Sequence, residues 1–135
     1  MENAYKFVMA KGIVLETEYP YKPVRETCKI KEGPFKIANY TAIRTCSDMA
    51  NALAIRPVSV AVDATNWPDY SHGVFADCAT SLNHGVLLVG ANDDDWKVKN
   101  SWGQNWGESG YIRLAHGNTC GICNTASIPY NNRMQ

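Results

Sequence analysis

The chain has 135 residues, of which 45% are hydrophobic and 19% are charged, so it is long enough and apolar enough to form a globular domain with its own core. Its formal net charge is zero and its basic residues are scattered, which argues against a nucleic-acid partner. The longest apolar stretch, residues 85–91, is far too short to span a membrane.

The first part of the chain is predicted to contain two helices and one strand. Apolar residues at helical spacing predict a helix over Glu2–Lys11, which Gly12 ends. Residues 20–34 are predicted to form a loop, and residues 35–43 alternate as a strand. The second helix is expected from residue 47 to about residue 55, because Ser-Asp at its start is typical of a helix N-terminus and a proline follows it.

The rest of the chain is predicted to form an antiparallel sheet, which makes the fold class α+β. Residues 67–70 are expected to form a turn, and the acidic run 92–95 to form a solvated hairpin tip. Five further strands are predicted, over residues 58–62, 84–90, 96–100, 111–114 and 126–130.

Two short segments carry residues suited to catalysis. His84 begins an apolar run in Leu-Asn-His-Gly-Val, and Asn100 follows sixteen residues later in Lys-Asn-Ser-Trp-Gly-Gln-Asn-Trp-Gly. A histidine can activate a thiol nucleophile, and a side-chain amide can hold the imidazole in one orientation and one tautomer. His84 is then the base, Asn100 the group that orients it, and Trp102 an indole that keeps water off their hydrogen bond. A histidine at a strand start is often only structural, but the two segments in this order favour the catalytic interpretation.

In these segments the chain resembles the papain-like cysteine peptidases, and the resemblance runs nearly end to end. It implies that His84 and Asn100 are the catalytic pair, that Trp102 shields them, and that Trp106 lines the leaving-group side of the cleft. Other matching segments are Glu18-Tyr19-Pro20-Tyr21, residues 57–64 and Cys120-Gly121-Ile122.

The same resemblance implies a division of the chain. Residues 35–135 correspond to the right-hand domain of the papain-like fold, a barrel-like antiparallel sheet with peripheral helices. Residues 1–34 correspond to a remnant helix of the left-hand domain and the crossover loop.

The nucleophile of the family lies near the mature N-terminus, about 130–150 residues before the histidine. Only 83 residues precede His84 here, and no Cys-Gly-x-Cys occurs among them. Residues 120–123 have that pattern but match the C-terminal region of the family. We therefore expect the catalytic cysteine to lie upstream of Met1, and the chain to be the C-terminal part of a peptidase and inactive alone.

Five cysteines leave at least one thiol without a partner inside the chain. The resemblance implies a disulfide between Cys78 and Cys120, and it matches Cys28 to a half-cystine whose partner lies upstream. Cys46 and Cys123 lie outside the usual framework of the family, so they either pair with each other or stay as small buried thiols.

Disulfides favour a lysosomal, vacuolar or secreted location, and the sequence Asn39-Tyr40-Thr41 is an N-glycosylation motif compatible with it. By the resemblance, Ala61, Leu82 and Thr125 line an apolar specificity pocket, although Ala61 and Leu82 would equally suit plain core packing. No metal or other cofactor is expected.

Two functions remain open from the sequence. The first is a cysteine endopeptidase that needs an N-terminal portion and then cleaves a polypeptide substrate. The second is a shortened, non-catalytic relative that acts as a structural or binding module in a larger assembly. In both cases we expect another protein surface to cover the apolar face around His84.

Overall fold

The computed structural model describes residues 1–131. Within that range neither helix is long and apolar enough to cross a membrane. The helices and strands are α1 (Glu2–Lys11), β1 (Asn39–Ile43), α2 (Cys46–Leu53), β2 (Val58–Val62), β3 (Val74–Phe75), β4 (His84–Ala91), β5 (Asp95–Lys99), β6 (Tyr111–Ala115) and β7 (Ala126–Tyr130), with a 3-10 turn at Thr119–Gly121.

The strands form a seven-stranded sheet in the order β1-β7-β2-β4-β5-β6-β3. The pairs β2–β4, β2–β7, β4–β5 and β5–β6 are antiparallel, as the sequence predicts. β3 was not predicted, and it pairs parallel with β6, so the sheet is mixed. Two residues are too few to show an alternating pattern, which is why the sequence gives no signal for this strand.

Contacts divide the chain into two compact units: Met1–Thr41 with the C-terminal residues from Pro129, and Ala42–Ile128. The second unit holds the core. Side chains on alternate strand positions point to opposite faces, and β2 buries every second residue, beginning with Val58. β5 and β6 add buried residues such as Trp96 and Ile112, and Met49 of α2 is also fully buried.

The first unit is sparsely packed. α1 has no buried residue, and Phe7, Ile13 and Leu15 are each about half exposed.

The predicted strand over 35–43 begins only at Asn39. Phe35 instead makes two backbone hydrogen bonds with Ile13, of 2.8 and 3.2 Å, and this bridge takes it out of the sheet.

α2 begins one residue earlier than predicted because Thr45 caps it. The Thr45 hydroxyl accepts a hydrogen bond from the Asp48 backbone N–H at 3.1 Å and donates one to the Asp48 carboxylate at 2.7 Å. A threonine at this position satisfies a backbone donor that the helix itself leaves unpaired.

The hairpin tip between β4 and β5 is only partly solvated, which corrects the expectation for residues 92–95. Asp95 is 4% exposed and lies 3.7 Å from the Arg113 guanidinium. The Asn92 side chain accepts hydrogen bonds from the backbone of Asp94 and Asp95, both at 2.8 Å. The turn therefore folds Asp95 inward, where a cation from β6 offsets its burial.

Candidate active site

His84 and Asn100 lie at one end of the β4–β5 pair. His84 is the first residue of β4, and Asn100 directly follows β5. The strands are antiparallel with Leu87 opposite Lys99, so the start of β4 and the end of β5 meet at one edge. There His84 Nε2 and Asn100 Oδ1 are 2.8 Å apart.

The surroundings of Asn100 fix which imidazole nitrogen carries the proton. Asn100 Oδ1 also accepts a hydrogen bond from the Ser101 backbone N–H at 2.8 Å, so the amide oxygen must face this way. An oxygen cannot donate, and His84 Nε2 therefore donates to it. In neutral His84 this leaves Nδ1 with its lone pair, and Nδ1 has no partner among the described residues. Nδ1 is thus the atom that can accept a proton.

Asn100 is the more buried member of this pair. Asn100 is 9% exposed, and its Nδ2 has no hydrogen-bond partner within residues 1–131. His84 is half-buried. Because a hydrogen bond is stronger where water is excluded, burial of Asn100 strengthens its hold on the imidazole.

Two tryptophans contact the imidazole, and a third packs against both of them. Trp102 stacks on His84 with ring centroids 5.1 Å apart and an interplanar angle of 29°, while remaining 40% exposed. Trp106 packs edge-on against Trp102 at 5.1 Å. Trp67 is fully buried and lies 6.1 Å from the His84 ring.

Trp67 is a residue that the sequence interpretation missed, because it was assigned to a turn. Its ring also contacts Trp102 and Trp106, at 6.3 and 6.0 Å, and its carbonyl oxygen accepts a hydrogen bond from the Trp106 indole at 3.2 Å. One signal was available: a large aromatic side chain in a turn usually buries its ring.

The segment before His84 is held by the end of β2. Asp63 accepts hydrogen bonds from the Ser81 backbone at 3.1 Å and from the Thr65 hydroxyl at 2.7 Å. The Thr65 side chain and then its backbone N–H lower the pKa of Asp63, so this carboxylate stays charged. Asn83 bonds to Ala64 N–H and to the Thr65 hydroxyl. These contacts fix the chain where it enters β4, and so fix the imidazole.

The loop that carries Trp106 is closed by an ion pair. Glu108 accepts two hydrogen bonds from Arg113, at 2.7 and 2.8 Å, and one from the Gly73 backbone at 2.9 Å. The Arg113 bonds, followed by the Gly73 bond, lower the pKa of Glu108 to about 2. Gly107 has a φ of 54°, and a Cβ there would lie 2.6 Å from the Tyr111 carbonyl oxygen. Only glycine fits this turn.

The three residues expected to line a specificity pocket lie around one end of β2. The Ala61 backbone N–H donates to the Thr125 carbonyl at 2.9 Å. Leu82 is 37% exposed, and its Cδ2 lies 2.8 Å from the position that a Cβ on Gly121 would take. All three positions therefore border the same region of the second unit.

Four of the five cysteines form disulfides. Cys78 bonds to Cys120 across 42 residues, and Cys46 bonds to Cys123 across 77 residues. The second bond decides between the two alternatives that the sequence left open for that pair. Cys28 is exposed and lies outside both bonds. Within residues 1–131, no cluster of three or more His, Cys, Asp or Glu side chains is arranged to hold a metal ion.

The sequence matches the family described as papain family cysteine protease over residues 1–130. Among curated proteins, cathepsin L 2 of Paramecium tetraurelia is 46% identical over 132 residues, and cathepsin L 1 of the same organism is 43% identical. Each alignment covers 96% of this chain and 42% of the relative. The chain thus spans about two fifths of the length of these relatives.

Solved structures agree with this match. The Carica candamarcensis cysteine protease CMS1MS2, in complex with E-64, superposes with a TM-score of 0.86 at 36% identity, covering 96% of this chain and 67% of that one. The proform of the ragweed pollen cysteine protease Amb a 11 gives a TM-score of 0.87 at 38% identity, covering 98% and 45%. The chain therefore belongs to the papain family of cysteine proteases, and its sheet has the α+β fold of the right-hand domain.

Proposed function

We propose that this chain is the C-terminal part of a cysteine endopeptidase, with His84 as the general base and Asn100 as the residue that orients it. The observation that carries the proposal is the 2.8 Å contact between His84 Nε2 and Asn100 Oδ1, which directs the lone pair of Nδ1 away from the amide. Trp102 shields this contact, and Trp106 lines the side where the leaving group departs.

The nucleophilic cysteine is supplied by polypeptide outside these 135 residues. Four cysteines are consumed in disulfides, and the thiol of Cys28 donates to the Ile30 carbonyl at 3.0 Å. The family spacing places the nucleophile about 130–150 residues before the histidine, a distance that this sequence does not contain. The chain alone is therefore inactive.

In the complete enzyme, His84 Nδ1 takes the proton of the thiol, and the thiolate attacks the carbonyl carbon of the scissile peptide bond. The resulting imidazolium gives its proton to the departing amine, which leaves an acyl-enzyme. Water then attacks the acyl carbon while Nδ1 accepts its proton, and the thiol is released. Asn100 holds the imidazole in the orientation that each of these transfers needs.

The substrate is a polypeptide with a medium-sized apolar side chain on the penultimate residue before the scissile bond. Ala61 and Leu82 make the pocket wall apolar, and Thr125 leaves modest room at its floor. No acidic side chain belongs to this set, so a basic side chain gains no ion pair here. Neither a metal nor another cofactor takes part in the proposed reaction.

A second polypeptide surface covers the apolar side chains that each unit leaves exposed. In the second unit, Trp102 and Leu82 are 40% and 37% exposed. In the first unit, Ile13, Leu15 and Phe35 are about half exposed. Exposed apolar patches of this kind usually mark a partner surface, and the N-terminal portion of the same protease is the partner that we propose.

The two disulfides favour a lysosomal, vacuolar or secreted location.

The proposal is tested by completing the enzyme. The N-terminal portion of cathepsin L 2 of Paramecium tetraurelia, up to the region that matches this chain, is joined to residues 1–135. We expect this protein to hydrolyse a fluorogenic dipeptide with an apolar penultimate residue and to lose activity on treatment with E-64. His84→Ala should lower kcat/KM on the order of 10³-fold, whereas His72→Ala, at an exposed histidine, should leave it nearly unchanged.

Two outcomes would contradict the proposal. Turnover by the pure chain that alkylation abolishes would mean that one of its own cysteines is the nucleophile. A completed protein that folds, as judged by its circular dichroism, but is inactive with His84 intact would favour the non-catalytic module.

A further inference from the structure

The sequence contains one Asn-x-Ser/Thr motif, Asn39-Tyr40-Thr41, and the proposed peptidase activity makes no use of it. The motif is an acceptor for N-linked oligosaccharide when its middle residue is not proline. A motif alone is weak evidence, because a glycan is compatible with the fold only where the asparagine lies at the surface with its amide nitrogen available.

Both outer residues of the motif meet the first condition. Asn39 is the first residue of β1 and Thr41 is the third, and both are exposed. Tyr40 between them is half-buried. Residues two apart on a strand share one face. The Tyr40 ring is turned to the other face, where it stacks on Tyr5 of α1 at 5.4 Å with an interplanar angle of 27°. The strand thus presents the asparagine and the threonine together.

The amide of Asn39 meets the second condition. Its Oδ1 accepts a hydrogen bond from the Tyr40 backbone N–H at 2.9 Å. This contact orients the side chain and leaves Nδ2, the atom that would be glycosylated, without a hydrogen-bond partner among the described residues. The Thr41 hydroxyl likewise has no partner in residues 1–131, so attachment at Asn39 would break no contact of the fold.

We propose that Asn39 carries an N-linked oligosaccharide. The modification rests on the part of the proposed function that places the protein in the secretory pathway, a location that the two disulfides favour. The glycan adds a hydrophilic, bulky group to β1, the strand at one end of the sheet order. Such a group would hinder pairing of this edge strand with other chains.

The test directs the chain into the secretory pathway of a cultured eukaryotic cell with a host leader peptide. Trypsin cleaves after Lys36 and Arg44, so the motif falls in the single peptide 37–44. We expect this peptide to be nearly absent before treatment with peptide-N-glycosidase, and to appear afterwards in heavy-oxygen water with labelled aspartate at position 39. Asn39→Gln and Thr41→Ala should abolish the label, Thr41→Ser should retain it, and Asn105→Gln should not affect it.

The proposal is wrong if the unmodified peptide dominates in secreted protein while a reporter glycoprotein from the same cells is fully glycosylated. Because the leader enforces entry, that result would count against the site at Asn39 itself. It would leave the proposed peptidase function, which is measured by dipeptide hydrolysis, untouched. Loss of the label in Thr41→Ala but also in Thr41→Ser would equally contradict it, since serine supplies the same hydroxyl.

Discussion

At the scale of single residues, the candidate site depends on one amide whose orientation is fixed by its own backbone. The Ser101 N–H donates to Asn100 Oδ1, so the amide oxygen is the atom that faces His84. Because this oxygen can only accept, His84 Nε2 must carry the proton. The geometry therefore selects the tautomer of the histidine. A carboxylate in place of the amide would add a negative charge and would favour the imidazolium over the neutral base.

Asn100→Ala should lower kcat/KM of the completed enzyme about 10²-fold, the size expected when a catalytic group loses its orientation. We expect nitrogen NMR of His84 to show a mixture of tautomers, where the parent shows the Nε2–H form. Asn66→Ala is the control, because Asn66 is an exposed asparagine whose side-chain amide donates to the Asp77 carbonyl at 3.0 Å and makes no hydrogen bond to His84. A single tautomer in Asn100→Ala would show that another group orients the imidazole.

Trp67→Ala should lower the free energy of unfolding by about 3–5 kcal/mol, the usual cost of truncating a large buried aromatic residue. Trp67→Phe keeps a ring beside His84 and should cost less. Urea unfolding and near-ultraviolet circular dichroism measure both effects. Trp102→Ala is the comparison, since that indole is 40% exposed and its loss leaves no cavity. Equal costs at the two positions would contradict the packing role given to Trp67.

At the scale of elements, the loop between β5 and β6 places Trp102 against the imidazole and Trp106 against Trp102. Asn100 begins it, Trp102 and Trp106 lie within it, and Glu108 closes it by binding Arg113 of β6 and the backbone of Gly73. The same Gly73 precedes β3, so the loop, β6 and the short parallel strand are fixed by one carboxylate. This explains why the loop holds two large aromatic side chains at defined positions.

The pKa of Glu108 is lowered from 4.5 to about 2 by its hydrogen bonds. A lowered pKa means that the unfolded chain binds the proton more tightly, so the stabilisation is complete above about pH 4.5 and is lost as the pH falls towards 2. Glu108→Gln should therefore have a lower urea midpoint at pH 7 and a flatter dependence of stability on pH between 2 and 4.5. Urea titrations across this range measure both.

Glu32→Gln is the control for Glu108→Gln. Glu32 also forms an ion pair, with Lys11 at 3.1 Å, but both side chains are more than half exposed, and such pairs contribute little. Its substitution should leave the urea midpoint and its pH dependence nearly unchanged. If the two variants behave alike, then the Glu108 pair does not stabilise the loop.

At the scale of the whole molecule, two disulfides tie the C-terminal region of the second unit to distant parts of that unit. Cys120 joins the loop after β3, and Cys123 joins the start of α2. Between these cysteines lies fully buried Ile122, and Thr125 follows. The bonds therefore hold in place the segment that also contributes to the expected specificity pocket.

Replacing Cys78 and Cys120 together by alanine should lower the free energy of unfolding by about 4 kcal/mol, because the bond closes a loop of 42 residues in the chain-entropy description. The Cys46–Cys123 pair closes 77 residues and should cost slightly more. Urea unfolding under non-reducing conditions measures both. Cys28→Ala, at the exposed cysteine outside both bonds, is the control, and an equal loss there would contradict the assignment.

Local patterns in the sequence predicted most elements closely, because they depend on residues near one another in the chain. α1, β2 and β7 have the predicted bounds. A helical spacing that ends at a glycine predicts α1, and short apolar runs predict the two strands; both signals come from neighbouring residues. The order of Asn-His-Gly and Asn-Ser-Trp-Gly along the chain likewise indicated the family, and the family match agrees with it.

Only the tertiary structure decided the features that join residues far apart in the chain. The burial of Trp67 beneath His84, the pairing of Cys46 with Cys123, the inward position of Asp95 and the parallel strand β3 each depend on a partner at least 17 residues away. No local pattern specifies such partners, because they are set by how the strands pack. The sequence by itself determined which side chains are available to the candidate site, and packing decided which of them lie in contact.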